Sequence, residues 1–114
     1  MNIGIETYGT IKPYYIQTLA MIYFPGAKFP EMDHISEADL RIFVEVIDKD
    51  DEIVANVALR YESESYRHTE TVKTESIHGD LDRARKIAAG KAFITAAGKM
   101  TGFTPPWGVL TGVR

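Results

Sequence analysis

Leu40-Arg-Ile-Phe-Val-Glu-Val-Ile-Asp-Lys-Asp-Asp-Glu-Ile-Val-Ala-Asn-Val-Ala-Leu-Arg-Tyr61 contains the strongest secondary-structure signal of the chain. Apolar residues alternate with other side chains over residues 40–47 and again over 53–61, a period of two that is typical of strands with one buried face. The polar segment between them, residues 48–52, is short. The two strands are therefore predicted to pair as an antiparallel hairpin.

The residues before this hairpin predict a strand and a helix. Ile3 and Ile5 alternate in a short first strand over residues 1–8. Pro13 suits the first turn of a helix, where its missing N–H needs no partner. Apolar residues at 15, 19, 22 and 23 then form one helical stripe, which Pro25-Gly26 ends.

The residues after the hairpin predict a polar strand and a long helix. Residues 66–75 favour a strand but carry few apolar side chains, so we expect this strand at a sheet edge, where charges discourage further pairing. Asp80 is a good N-cap for a helix that ends at Thr101-Gly102. Its small residues at helical spacing, Ala84 to Ala96, indicate close approach to the sheet, although Gly90 and Gly98 each weaken the helix by about 1 kcal/mol.

The predicted fold class is therefore α+β with the order β-α-β-β-β-α. We expect an antiparallel sheet with both helices packed on one face. Residues 1–100 would form a single domain, and residues 101–114 an apolar linker. Residues 101–114 contain the only Trp of the chain and two adjacent prolines.

Composition narrows the possible functions. The chain has 114 residues, a net charge of −3 and a pI of about 5.6. Dedicated nucleic-acid-binding proteins usually carry an excess of basic residues, so this charge argues against that class. There is no cysteine, so this chain offers no disulfide, no thiol nucleophile and no ligand for an iron–sulfur cluster. No apolar run reaches the length of a membrane span and no signal peptide is visible, so we expect a cytoplasmic protein.

Few residues suggest catalysis. His34, His68 and His78 lack the spacing of metal ligands on a helix, and solvated histidines are the simpler interpretation. His68 and Glu70 share a strand face, which leaves a small acid–base or metal site as an alternative. The acidic residues 48–52 lack the spaced ligands and glycine of a calcium loop and are predicted to be a solvated turn. No catalytic, cofactor-binding or metal-binding residue is assigned.

The first part of the last helix, residues 81–94, carries four basic residues, Arg83, Arg85, Lys86 and Lys91. A final Ala-rich basic helix behind three antiparallel strands and an earlier helix resembles the layout of a double-stranded RNA-binding domain. The resemblance implies that basic residues at the start of this helix reach phosphates. Asp80 and Asp82 lie at the same place and oppose that function. A basic face that is simply solvated is the other interpretation.

The end of the chain gives the more specific resemblance. Trp107-Gly-Val-Leu-Thr-Gly-Val-Arg114 is similar to Trp-Gly-Ile-Leu-Thr-Gly-Ile-Arg-Pro of the HemZ-type oxygen-independent coproporphyrinogen III oxidase family, which are radical SAM proteins. The match covers eight residues with two Ile/Val exchanges. In that family an N-terminal region of similar length ends in a helix before this segment, and the radical SAM domain follows.

The resemblance implies a role in heme and porphyrin biosynthesis for a longer protein. That protein would hold a [4Fe–4S] cluster through three cysteines and use S-adenosylmethionine, both outside this chain. Here the expected function is a non-catalytic accessory domain whose partner is its own radical SAM domain; an association of like copies is a further possibility. The expected interdomain junction consists of Trp107, Gly108, Leu110, Gly112 and Arg114; the other interpretation of Trp107 is a lid over the core of this domain itself. The alternative is a nucleic-acid-binding module of the double-stranded RNA-binding type.

Overall fold

The structure, a computed structural model, describes residues 1–31, 37–78 and 80–102. Its elements are β1 (Ile3–Gly9), α1 (Pro13–Tyr23), β2 (Leu40–Asp48), β3 (Glu52–Tyr61), β4 (Glu64–Lys73), a 3-10 helix (Thr74–Ile77) and α2 (Leu81–Thr101). This confirms the predicted α+β class and the order β-α-β-β-β-α. Strand β4 begins two residues before its predicted start, because polar Glu64 and Ser65 extend the pairing with β3.

The predicted hairpin forms the centre of a four-stranded sheet with the order β1-β2-β3-β4. β2 and β3 are antiparallel, with Val44 opposite Val57, and β4 continues the antiparallel pairing on the far side of β3. β1, however, runs parallel to β2. The sheet is therefore mixed, since α1 carries the chain back between β1 and β2 so that both strands point the same way.

Both helices pack on one face of this sheet, as predicted. The alternating positions 40, 42, 44 and 46 of β2 and 53, 55, 57 and 59 of β3 are buried beneath them. The face of α2 that covers the sheet is made of small side chains, among them Ala84, Ala88 and Ala92, each with no exposed surface. Phe93 fills the space between the helices, and its ring meets Tyr23 edge-on at 5.8 Å.

Small residues also bring the two helices together. Gly90 lies beneath Tyr15 of α1, and a Cβ at position 90 would come within 2.9 Å of the Tyr15 hydroxyl. That hydroxyl donates to the carbonyl of Lys86 at 3.1 Å, and the Tyr23 hydroxyl donates to that of Ile94 at 3.4 Å. Gly90, which weakens an isolated helix, is thus explained by the helix–helix contact rather than by the sheet.

The ends of the elements follow local chemistry. Asp80 caps α2 by accepting a hydrogen bond from the Arg83 backbone N–H at 3.1 Å, as predicted. Gly102 closes the same helix in the left-handed conformation, with φ 73°. Gly9 ends β1 at φ 89°, where any Cβ would run into the carbonyl oxygen of Val46 on the neighbouring strand.

Candidate functional site

The predicted basic residues of α2 do not form a free cationic surface. Arg85 reaches across to the end of β2, where its Nε and Nη2 donate to the two carboxylate oxygens of Asp48 at 3.1 and 2.5 Å. Lys86 pairs with Asp82 one turn earlier at 3.1 Å. Lys91 is half-buried. Two of the four predicted residues are therefore already neutralised by carboxylates.

The Arg85–Asp48 pair is the main electrostatic contact between α2 and the sheet. Hydrogen bonds from Arg85 hold the pKa of Asp48 below its ordinary value, and the same bonds raise the pKa of Arg85. The hydroxyl of Thr10 adds a third contact to Asp48 at 3.3 Å. A nucleic-acid phosphate would have to displace this carboxylate, so the contacts give no support to the double-stranded RNA-binding alternative.

His68 and Glu70 meet as their spacing predicted. They lie on the helix-covered face of β4, and His68 Nε2 is 2.9 Å from Glu70 Oε1. The two side chains are 26% and 29% exposed, so both are only partly accessible to solvent although β4 is an edge strand. A carboxylate can orient an imidazole for proton transfer. Within the described residues, however, no third His, Asp or Glu joins them to make a metal-binding group.

The acidic turn is an ordinary hairpin connection, as predicted. The Lys49 N–H donates to the carbonyl of Glu52 at 2.9 Å, which closes the turn. Asp51 contributes its backbone carbonyl to the Thr74 hydroxyl at 3.1 Å. Its carboxylate lies 3.9 Å from Lys73 Nζ, and both side chains are largely exposed. The turn thus fixes the end of β4 and carries several solvated carboxylates.

A surface that sequence reasoning did not single out is the side of the sheet that no helix of the described residues covers. We call it the open face; it consists of the outward-pointing side chains of the four strands. A shallow groove of about 310 Å³ crosses it, and the side chains exposed in the groove include Tyr8, Phe43, Glu45, Asn56, Ala58, Arg67 and Thr69. The alternation had indicated which residues point outward, but only strand order and register bring them together.

The middle of the open face is held by a polar ladder. Asn56 on β3 donates to Glu45 Oε1 on β2 at 3.0 Å and accepts from the Thr69 hydroxyl on β4 at 2.6 Å. Phe43 and Ala58 lie directly opposite each other one row away. This ladder ties three strands together on the solvent side and keeps the apolar side chains beside it in fixed positions.

A second cavity, of about 480 Å³, lies where the start of α1 meets the start of α2. Several of the polar groups around it have partners within the protein. The Thr18 hydroxyl donates to the Tyr14 carbonyl at 3.0 Å, and Tyr15 donates to the Lys86 carbonyl. Burial raises the pKa of the Tyr15 hydroxyl, which stays a neutral donor. These two hydrogen bonds stabilise α1 and its packing against α2.

Comparison with models of known protein families gives no match, and comparison with curated protein sequences gives none either. The predicted interdomain junction, Trp107, Gly108, Leu110, Gly112 and Arg114, lies outside the described residues, as does His34. Within the described residues, no helix is long and apolar enough to cross a membrane. The resemblance of residues 107–114 to the coproporphyrinogen oxidase family therefore stays a prediction.

Proposed function

We propose that this α+β domain is a non-catalytic accessory domain of a coproporphyrinogen III oxidase-like radical SAM protein that acts in porphyrin biosynthesis in the cytoplasm. The observation that carries the proposal is the segment Trp107–Arg114, which resembles the family's segment before the radical SAM domain. It follows the last helix of the domain, and four residues separate it from Gly102, where α2 is capped.

The packing of the described residues agrees with a self-contained domain. Their buried apolar side chains form one cluster that extends from Ile3 to Ala97 and includes residues of every strand and both long helices. No buried side-chain polar atom in this part of the chain lacks a hydrogen-bond partner. A unit with its own core can be joined to a catalytic domain through a linker without sharing that core.

The residues of this chain do not fit the family's cofactor. A radical SAM cluster is held by three cysteine thiolates, and the chain has none. The His68–Glu70 pair supplies two potential ligands of a different chemical type. In this proposal the cluster, S-adenosylmethionine and the reaction belong to the partner domain, and no step is assigned to residues 1–102.

The reading frame of the gene tests this proposal first. We expect it to continue past Arg114 with Pro and later to encode a Cys-x3-Cys-x2-Cys motif. The longer protein, purified without oxygen, should then contain iron and sulfide and cleave S-adenosylmethionine reductively. A stop codon after Arg114, or a longer protein without the three cysteines, would contradict the proposal.

A further inference from the structure

One end of the open face carries three arginines that have no carboxylate partner among the described residues. Arg41 on β2 lies directly opposite Arg60 on β3, and Arg67 lies one row further on β4. In the described part of the chain, Arg41 and Arg60 form no ion pair, and the Arg67 side chain donates only to the Ser65 hydroxyl at 3.3 Å. Like charges directly opposite each other destabilise a sheet, so the cluster needs an explanation outside the fold.

The opposite end of the same strands carries the acidic turn. Asp50, Asp51 and Glu52 lie there, beyond the last hairpin row formed by Asp48 and Ile53. Asp50 is exposed and forms no ion pair within the described residues. Lys49 belongs to the same turn, and Lys73 of β4 lies opposite Glu52 and 3.9 Å from the Asp51 carboxylate. Within the described residues, the long axis of the β2–β3 hairpin therefore has three arginines without a carboxylate partner at one end and, at the other, a turn in which carboxylates outnumber lysines and Asp50 forms no ion pair.

Apolar side chains lie between the two charged ends. Tyr8 and Ile47 are 51% and 38% exposed, and both point to the open face. Phe43, Val54 and Ala58 lie beside them and are half-buried. The middle of the open face thus combines these apolar side chains with the polar ladder of Glu45, Asn56 and Thr69. A partly polar surface that exposes tyrosine and arginine is typical of a non-obligate protein interface.

We propose that the open face binds the open face of a second copy of this chain, so that the arginine end of each copy covers the acidic turn of the other. Charge favours this partner, because the two ends of one hairpin are complementary to each other. A two-fold axis that lies between the two sheets, perpendicular to the strands, places the arginine end of one copy over the acidic turn of the other. Because this axis maps each strand onto its own counterpart, Arg41 and Arg60 of one copy meet the β2–β3 turn of the other.

Electrostatics excludes the other face-to-face arrangement. A two-fold axis parallel to the strands would place arginines on arginines and carboxylates on carboxylates. Like-charge juxtaposition across an interface costs several kcal/mol. Sheets that pack face to face also keep their strands within about 30° of each other, which preserves the end-to-end match.

Both the size and the centre of the interface predict a weak dimer. Four strands about 4.8 Å apart and five alternate rows about 6.7 Å apart give a flat face on the order of 500 Å² per copy, at the low end for specific interfaces. Glu45, in the middle row, would lie close to its own counterpart at the two-fold axis. We therefore expect association in the micromolar range and a tighter dimer when Glu45 is neutral.

Sedimentation velocity on the chain of residues 1–114, from low to high micromolar concentration at neutral pH, tests the proposal. Wild type should form a dimer that weakens at high salt. Arg60→Glu and Asp50→Lys should each raise the dissociation constant by about tenfold or more. Mixing the two variants should restore the dimer, because the mixed pair has both charge contacts in attractive order.

Matched variants separate this dimer from other association. Lys12→Glu reverses an exposed charge at the start of α1, away from the open face, and should leave the dimer unchanged, whereas Glu45→Gln should tighten it. Circular dichroism checks that each variant is folded. The proposal is overturned if the chain stays monomeric at all concentrations, or if its dimer is unaffected by Arg60→Glu and Asp50→Lys. It is also overturned if the mixture of these two variants stays monomeric, or if Lys12→Glu weakens the dimer as much as they do. None of these outcomes depends on the proposed function.

Discussion

Replacing Gly90 by Ala tests the contact between the two helices, and its sign should depend on Tyr15. The new Cβ would lie 2.9 Å from the Tyr15 hydroxyl oxygen, which is too close, and 3.8 Å from the ring carbon Cζ, which is ordinary contact. The hydroxyl also donates to the Lys86 carbonyl at 3.1 Å. The substitution should therefore push this hydroxyl away from its acceptor.

Three contributions set the magnitude. Ala is favoured over Gly inside a helix by about 1 kcal/mol. Against this stand the hydrogen bond of Tyr15, worth about 1 kcal/mol, and overpacking of about 1 kcal/mol. Gly90→Ala alone should thus lower the free energy of unfolding by about 1 kcal/mol. In a Tyr15→Phe background the obstructing oxygen is gone, and the same change should raise the free energy of unfolding by about 1 kcal/mol.

Urea unfolding followed by circular dichroism measures both changes, with a coupling free energy of about 2 kcal/mol between the two positions. Tyr23→Phe is the matched control, since it removes a hydroxyl from the same helix that contacts Ile94 rather than Gly90. In that background Gly90→Ala should remain destabilising. Equal effects of Gly90→Ala in all three backgrounds would refute the role assigned to Tyr15.

Three further tests probe other contacts by substitution. Gly9→Ala should lower the free energy of unfolding by about 3 kcal/mol, because it combines a left-handed conformation with a clash against β2. Gly26 has φ 83° but no neighbouring atom near its Cβ position, so Gly26→Ala should cost only about 1 kcal/mol in the same urea titration. Arg85→Leu should cost about 1 kcal/mol at neutral pH. Pairing with Arg85 lowers the pKa of Asp48 in the folded state. The cost of Arg85→Leu should therefore be present above the unfolded-state pKa of about 4 and disappear as the pH falls through the folded-state pKa of Asp48. A cost that does not depend on pH would contradict the pairing. Asp80→Ala should cost about 1 kcal/mol in thermal unfolding, and Asp80→Asn should cost much less because Asn keeps the capping oxygen. Equal losses for the two variants would contradict the capping role of Asp80.

Patterns of period two and of helical spacing predicted most of the fold. The alternation over residues 40–61 specified the hairpin, its turn and its buried face, because burial on one side forces that period. The same reasoning placed His68 and Glu70 on one face of β4. Helix boundaries followed from Pro13 and Asp80, whose effects are local.

Pairings between distant residues could not be predicted. Two apolar residues in β1, Ile3 and Ile5, indicate a strand but not its direction relative to β2, which is set by the path of the chain through α1. Asp48 and Arg85 are separated by 37 positions, so their ion pair exists only once α2 lies on the sheet. The open face escaped notice for the same reason, because its groove arises from side chains on four strands.

An anaerobic assay of coproporphyrinogen III conversion, with S-adenosylmethionine and a reductant, tests whether residues 1–114 are a non-catalytic part of a radical SAM protein. We expect no turnover by the chain of residues 1–114 and turnover by the longer protein that contains it. The three-cysteine motif of the longer protein should be essential, while His68→Ala and Glu70→Gln should leave the rate unchanged. Turnover by residues 1–114 alone, or a longer protein that cleaves no S-adenosylmethionine, would contradict the assignment of this domain as a non-catalytic accessory unit.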